Sequence, residues 1–179
     1  NLWILRENYK KKKIFSKKRL PNGMIFNEIL KNYNIGIISA LIRANVLKDN
    51  NLRFNKKFNH IGDFDLFVKL SKLCLFRAIQ DPVATYRIHG DNLSLKNTYK
   101  EIKELQIWLK KNNSILNHYQ KQMLKKRAQS REFMFLKLKK NFFSTLMFFI
   151  GHKNVYTKLK NFFILFTPVF ILKKIMWYQ

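Results

Sequence analysis

Apolar and polar positions change rhythm several times along this chain. Residues 1 to 20 begin with Leu2-Trp3-Ile4-Leu5 and then turn basic, with Lys10 to Lys13 and Lys17-Lys18-Arg19. The stretch reads as a surface loop or frayed helix, closed by a turn at Pro21-Asn22-Gly23. From Met24 to Leu30 the apolar residues Ile25, Ile29 and Leu30 recur at helical spacing. Ile35 to Ile42 is a nearly continuous, partly β-branched apolar run and predicts a buried strand. Val46 to Asp49 predicts one helical turn. Asp63 is a suitable N-cap for a helix continuing to about Leu73 or Cys74, with Leu66, Leu70 and Leu73 on its buried face. Phe76 to Ile79 and Val83 to Ile88 read as strands on either side of a turn at Asp81-Pro82. Strands separated by helices predict an α/β layer rather than a bundle.

Beyond residue 96 the period is helical. Ile102, Leu105 and Leu109 mark one helix, Asn112-Asn113 breaks it, and a basic helix follows from about Gln120 to Lys140. Residues 141 to 179 alternate apolar and basic blocks. Asn141 to Ile150 and Phe162 to Leu172 are each shorter than the roughly 20 residues a spanning helix needs. Pro168 interrupts the second, and Lys158, Lys160, Lys173 and Lys174 flank it. Such segments are expected to lie in a membrane interface with lysines near anionic headgroups, as a peripheral attachment at the cytoplasmic face. The competing expectation is a pair of amphipathic helices packed on another domain. The chain therefore divides into a compact zone over 1–96, a basic helical extension over 97–140 and an amphipathic tail over 141–179.

Charge changes this picture more than composition does. Lys and Arg number 36 against 10 Asp and Glu, a formal net charge of +26 over 179 residues. That balance favours anionic partners: nucleic acid, anionic lipid or phosphorylated substrates. Lysine outnumbers arginine 28 to 8, whereas a dedicated phosphate reader favours arginine, whose planar fork binds bidentately. A codon bias toward A and T accounts equally well for the abundance of Lys, Asn, Ile and Phe. No zinc spacing, RNA-recognition aromatic motif or helix-turn-helix is present, so no specific nucleic-acid partner is expected. The single cysteine, Cys74, excludes an internal disulfide framework and a cysteine-based zinc site, and fits a reducing compartment. The opening on Asn1 rather than Met suggests a portion of a longer protein.

Acidic residues are scarce, so their placement carries information. Asp63, Asp65, Asp81 and Asp91 fall in one short stretch, with His60 and His89 at its edges. Asp63 and Asp65 sit in the first turn of the predicted helix, where the positive end of the helix dipole favours anionic side chains. A carboxylate there can act as a general base; equally, Asp63 can cap the helix and Asp65 complement its dipole. His89 lies just past the end of the Val83 to Ile88 strand, where functional residues of α/β folds concentrate. A neutral imidazole there can bind a divalent metal, or simply bond within its loop.

Three segments in order give the chain a family resemblance. Gly62-Asp63-Phe64-Asp65-Leu66-Phe67-Val68-Lys69-Leu70 resembles the acidic segment of family 2 glycosyltransferases. Upstream, Ile35 to Leu47 is similar to that family's preceding strand and basic turn, and Leu52-Arg53-Phe54-Asn55 to the loop between. Downstream, Tyr86-Arg87-Ile88-His89-Gly90-Asp91-Asn92-Leu93-Ser94 resembles the family's Tyr-Arg-x-His-x-x-Asn-x-Ser close. The resemblance spans about 60 residues and implies the acceptor-side portion of a GT-A fold; the helical, membrane-associating tail beyond it is expected from its own pattern of apolar and basic blocks. It implies an inverting transferase that moves a sugar from a nucleotide-sugar donor to a hydroxyl of a cell-surface glycan or lipid-linked precursor. Asp63 matches the family's general base. Asp65 and His60 would support the acceptor side, His89 would hold a divalent metal or the donor diphosphate, and Arg87 either faces the diphosphate or serves the fold. Two departures stand out. Gly62 replaces the usual Glu, and no Asp-x-Asp outside 63–65 is present to place Mg²⁺ or Mn²⁺ on a nucleotide. The resemblance therefore implies that most of the metal site and the donor site belong to a separate nucleotide-binding half, and that this chain alone is inactive. The alternatives are a non-enzymatic basic nucleic-acid binder or a membrane-interface protein whose tail alone functions.

Overall fold

The computed structural model describes residues 1–6, 12–89, 92, 97–139, 142–151 and 155–172. The chain is mixed α/β and forms two compact units, Asn1–Lys125 and Lys126–Gln179. In the first, β1 (Trp3–Arg6) lies between β2 (Lys13–Ile14) and β3 (Thr85–Ile88). It runs antiparallel to β2, with Trp3 opposite Ile14, and parallel to β3, with Trp3 opposite Thr85 and Arg6 opposite Ile88. The same unit contains α1 (Phe26–Lys31), α2 (Ala44–Asp49), α3 (Gly62–Leu70) and α4 (Thr98–Lys111). The long α5 (His118–Leu138) contains the division between the units.

The hub of the first unit is α3. Seven of its nine residues are buried: Gly62, Phe64, Asp65, Leu66, Phe67, Val68 and Leu70. Ile29 and Leu30 of α1 are buried in the same unit, and the ring of Tyr33 meets Phe64 edge-on at 5.5 Å. Phe64 in turn meets Trp108 of α4 at 5.2 Å. Each fully buried large apolar side chain stabilises the fold by about 1.5–3 kcal/mol relative to exposure. The chain leaves α3 at Ser71, whose buried hydroxyl donates to the Val68 carbonyl at 2.8 Å. Cys74 follows, its thiol donating to the Leu70 carbonyl and pushed above the usual thiol pKa by desolvation.

Some predicted elements form as expected. The Ile25, Ile29 and Leu30 stripe is buried in and beside α1, the turn at 46–49 is part of α2, and the break at Asn112-Asn113 separates α4 from α5. Others do not. Trp3–Arg6 is the central strand of the sheet rather than a surface loop, because its apolar run is paired on both edges. The expected strand over Ile35–Ile42 is a single 3₁₀ turn at Ile37–Ser39. There the amide and hydroxyl of Ser39 both donate to the Gly36 carbonyl at 2.9 Å, and Ala40 donates to Ile37. These local bonds replace a ladder. The segment also passes close to β1: a Cβ on Gly36 would stand 2.2 Å from Leu2.

Asp63 is not the N-cap of α3, a position taken by Ile61, and the helix stops at Leu70, leaving Leu73 exposed. Phe76 to Ile79 runs extended beside 20–23, but forms only one bridge, Gly23 to Phe76. Side chains supply the remaining bonds: Asn22 accepts from the Ala78 amide, and Gln80 both accepts from the Leu20 amide and donates to its carbonyl. Gly23 has φ +90°, a left-handed conformation that glycine adopts without strain.

The second unit comprises the end of α5, α6 (Phe142–Ile150) and α7 (Val155–Phe166). Phe133 of α5 is fully buried, with its ring 6.0 Å from Phe148 of α6. Phe149 of α6 meets Phe162 of α7 at 6.3 Å, and Lys137 of α5 donates to the Leu165 carbonyl. Among the described residues, no helix is long and apolar enough to cross a membrane. Lys173 and Lys174 lie outside the described residues.

Two measurements check this architecture. Leu30→Ala is expected to lower unfolding free energy by about 2–5 kcal/mol in urea titration, whereas Leu41→Ala should change it by less than about 0.5 kcal/mol. The second value follows from the full exposure of Leu41, and a buried strand at 35–42 would make both substitutions costly. Cys74 should be alkylated at neutral pH more slowly in the native chain than in urea, since desolvation favours the protonated thiol and only the thiolate reacts.

Candidate active site

The first turn of α3 is organised from outside the helix. The Glu104 carboxylate of α4 accepts from three successive amides of the entering loop: Asn59 at 3.1 Å, His60 at 2.8 Å and Ile61 at 3.1 Å. Upstream, the Asn55 side chain accepts from the Lys57 amide and the Asn55 carbonyl from Phe58, which folds the loop toward the helix. With the amides ahead of the helix already satisfied, α3 begins at Gly62 and Asp63 falls inside its first turn.

The two aspartates of that turn have different surroundings. Asp65 is only 2% exposed. One oxygen accepts from Trp108 Nε1 at 2.8 Å, and the other from Lys69 Nζ at 2.6 Å, one turn along α3. Asp63 is half-buried, and its Oδ1 accepts from the adjacent Phe64 amide at 2.8 Å. Among the described residues its second oxygen carries no hydrogen bond. A half-exposed carboxylate with an open oxygen at a helix N-terminus is chemically able to take a proton from a hydroxyl placed against it.

The second predicted cluster lies at the end of β3. Asn92 closes the turn there: its side-chain oxygen accepts from the His89 amide, and its Nδ2 lies 3.4 Å from the Tyr86 hydroxyl and 3.3 Å from the Arg87 carbonyl. Its own amide donates to the His89 carbonyl. Three of the sequence motif's residues, Tyr86, His89 and Asn92, thus form one closed turn that presents a half-buried His89, while Arg87 is exposed. Gly90, Asp91 and Leu93 to Lys96 lie outside the described residues.

His60 stands in the loop that enters α3, Asp63 and Asp65 in the first turn of that helix, and Arg87 and His89 at the end of β3. A divalent ion needs several oxygen or imidazole ligands. Among the described residues no three His, Cys, Asp or Glu side chains come together as such a group.

Glu104 and Trp108 were not singled out by the motif. They lie four residues apart on α4, and so on one helix face, beside the buried Ile102 and Leu105. A scarce acid one turn from a tryptophan on an apolar helical stripe was the available signal. No family model, no curated protein and no solved structure matches this chain.

The Asp65–Trp108 bond yields a direct test. Trp108→Phe keeps an aromatic ring, though a smaller one, but removes the donor to a buried carboxylate, and should cost at least about 1–3 kcal/mol in urea-induced unfolding. Combined with Asp65→Ala, the two losses should fall short of additive, because they remove the same bond. Full additivity would separate the two residues.

Proposed function

We propose that this chain supplies the acceptor side of an inverting, nucleotide-sugar-dependent glycosyltransferase of the GT-A type, with Asp63 as its general base. The observation that carries the reading is the contrast within one helical turn. Asp65 is buried with both oxygens engaged, whereas Asp63 is half-exposed with an oxygen open. This is the division of labour that a scaffolded base requires: one carboxylate holds the helix and its neighbour meets substrate.

In the proposed reaction an acceptor hydroxyl of a glycan or lipid-linked precursor lies against Asp63. Asp63 takes its proton as the oxygen forms a bond to the anomeric carbon, and the bond from that carbon to the nucleotide diphosphate breaks on the opposite face. An alcohol is a poor nucleophile until a positioned base assists it, a contribution of about 10²–10⁴-fold. His60 lies three residues before the base, and its amide is fixed by Glu104, which holds the acceptor loop in place. On this reading His89 and Arg87, at the end of β3, would meet the donor diphosphate. The nucleotide and its metal belong to a separate half. The apolar segment Ile35–Ile42 supports a second half as well, since Ile37, Ile38 and Leu41 are exposed and offer surface for it to cover.

In a protein that joins this chain to a nucleotide-binding half, Asp63→Asn should lower turnover at least about a hundredfold. Donor affinity, read by calorimetry with the nucleotide sugar, should stay within about twofold, because the substitution removes a proton acceptor and not a donor contact. Near-normal turnover in this variant would sink the assignment of the base.

A further inference from the structure

The second unit distributes its polar and apolar residues the wrong way round for a helical hairpin in water. On α6, Phe143, Met147 and Ile150 are exposed, at 72%, 55% and 58%. Their spacing of four and three places them on one stripe. On α7, Phe163 and Phe166 are exposed at 67% and 64%, and Phe170 follows at 73%. In contrast, Thr145 is fully buried and Asn161 is 3% exposed. A soluble hairpin buries its stripe of Phe, Met and Ile and turns Thr and Asn outward. Exposed apolar stripes of this kind mark a surface that is covered in use.

Charge identifies the cover. From Phe133 to Gln179 the chain has no Asp or Glu and eight lysines: Lys137, Lys139, Lys140, Lys153, Lys158, Lys160, Lys173 and Lys174. An acidic protein partner or a second copy of this chain could cover apolar side chains, but a second copy would bring two sets of eight lysines together, and like charges facing each other oppose such a contact. An anionic bilayer satisfies both halves of the pattern, taking phenylalanines into the acyl boundary and lysines against headgroup phosphates. Neither α6 nor α7 reaches the length of a spanning helix, so the fit is a hairpin lying in the interface plane.

We infer that α6 and α7 form an interfacial membrane-insertion hairpin, with Phe143, Met147, Phe163, Phe166 and Phe170 as the inserted side chains. The hairpin recognises the anionic surface of a bilayer, such as that of a cytoplasmic leaflet. This inference is independent of the transferase reading, since it uses no residue of the first unit, and either can fail without the other.

The test is flotation of the full chain with vesicles of equal parts phosphatidylglycerol and phosphatidylcholine, and with pure phosphatidylcholine vesicles. The expected result is capture by the anionic vesicles at least about tenfold stronger than by the neutral ones. Combining Phe143→Ser with Phe163→Ser should weaken that capture at least about tenfold, with helical content by circular dichroism unchanged, since both side chains are exposed. Leu41→Ser, which removes an equally exposed apolar side chain from the first unit, should leave capture unaltered. Equal capture of the double variant and the parent overturns the inference. So does a lipid-free dimer in sedimentation equilibrium that the double variant dissolves, which would assign the face to a second copy.

Discussion

Asp65 is a carboxylate with 2% of its surface exposed, and a charge so placed must be met by donors or it destabilises the fold. Trp108 and Lys69 meet it, and the remaining geometry of the first unit follows. The indole nitrogen has one donor direction, so its bond to Asp65 sets both the register and the rotation of α4 on α3. One turn earlier on α4, that register brings Glu104 onto the amides of Asn59, His60 and Ile61. Those amides are satisfied from outside the helix, α3 starts at Gly62, and Asp63 keeps one oxygen on the Phe64 amide while its other oxygen is open. The exposure of one aspartate is thus a consequence of the burial of the other.

Much of this was legible in the chain, and the failures have identifiable causes. The Ile25, Ile29 and Leu30 stripe and the Asn112-Asn113 break are local signals read by local rules, and both hold. The start of α3 lies two residues earlier than expected, with Ile61 rather than Asp63 as N-cap, because the loop before it is held by Glu104, more than 40 positions away, which no local pattern announces. Ile35–Ile42 has the composition of a strand but is turned by Ser39, whose hydroxyl competes for the Gly36 carbonyl. Trp3–Arg6 was read with the lysines that follow it, and its four apolar-rich residues were outweighed by the charge beside them. Phe76 to Ile79 was close: the chain is extended there, but Asn22 and Gln80 make with side chains the bonds that a strand makes with its backbone. In the candidate site, the motif located Asp63, Asp65, His89 and Asn92. It could not tell which of the two aspartates faces outward, because that depends on a tryptophan in another helix.

The two candidate clusters are built on the same plan. Each consists of a candidate side chain, Asp63 or His89, whose stretch of backbone is held by the hydrogen bonds of its neighbours. Asp65 and Glu104 do this for Asp63, through the helix and through its entering loop. Asn92 does it for His89, by tying the Tyr86 hydroxyl, the Arg87 carbonyl and the His89 amide into one turn. The backbone that carries each candidate side chain is thereby fixed before anything meets it. It also explains why the motif residues occur as groups: the tyrosine and asparagine around His89 are read most simply as the mounting of the histidine.

The uncovered phenylalanines of α6 and α7 have a further consequence for the chain in bulk water. With a formal charge of +26, separate molecules repel one another, and this repulsion keeps their apolar faces apart. The repulsion reaches only as far as the ionic atmosphere allows, about 8 Å at physiological ionic strength and about 3 Å at 1 M. Added salt therefore removes the barrier while leaving the apolar faces unchanged. The colloidal behaviour of the protein is accordingly inverted from that of one whose association is driven by charge: dilute buffer keeps it dispersed, and concentrated salt brings its phenylalanines together.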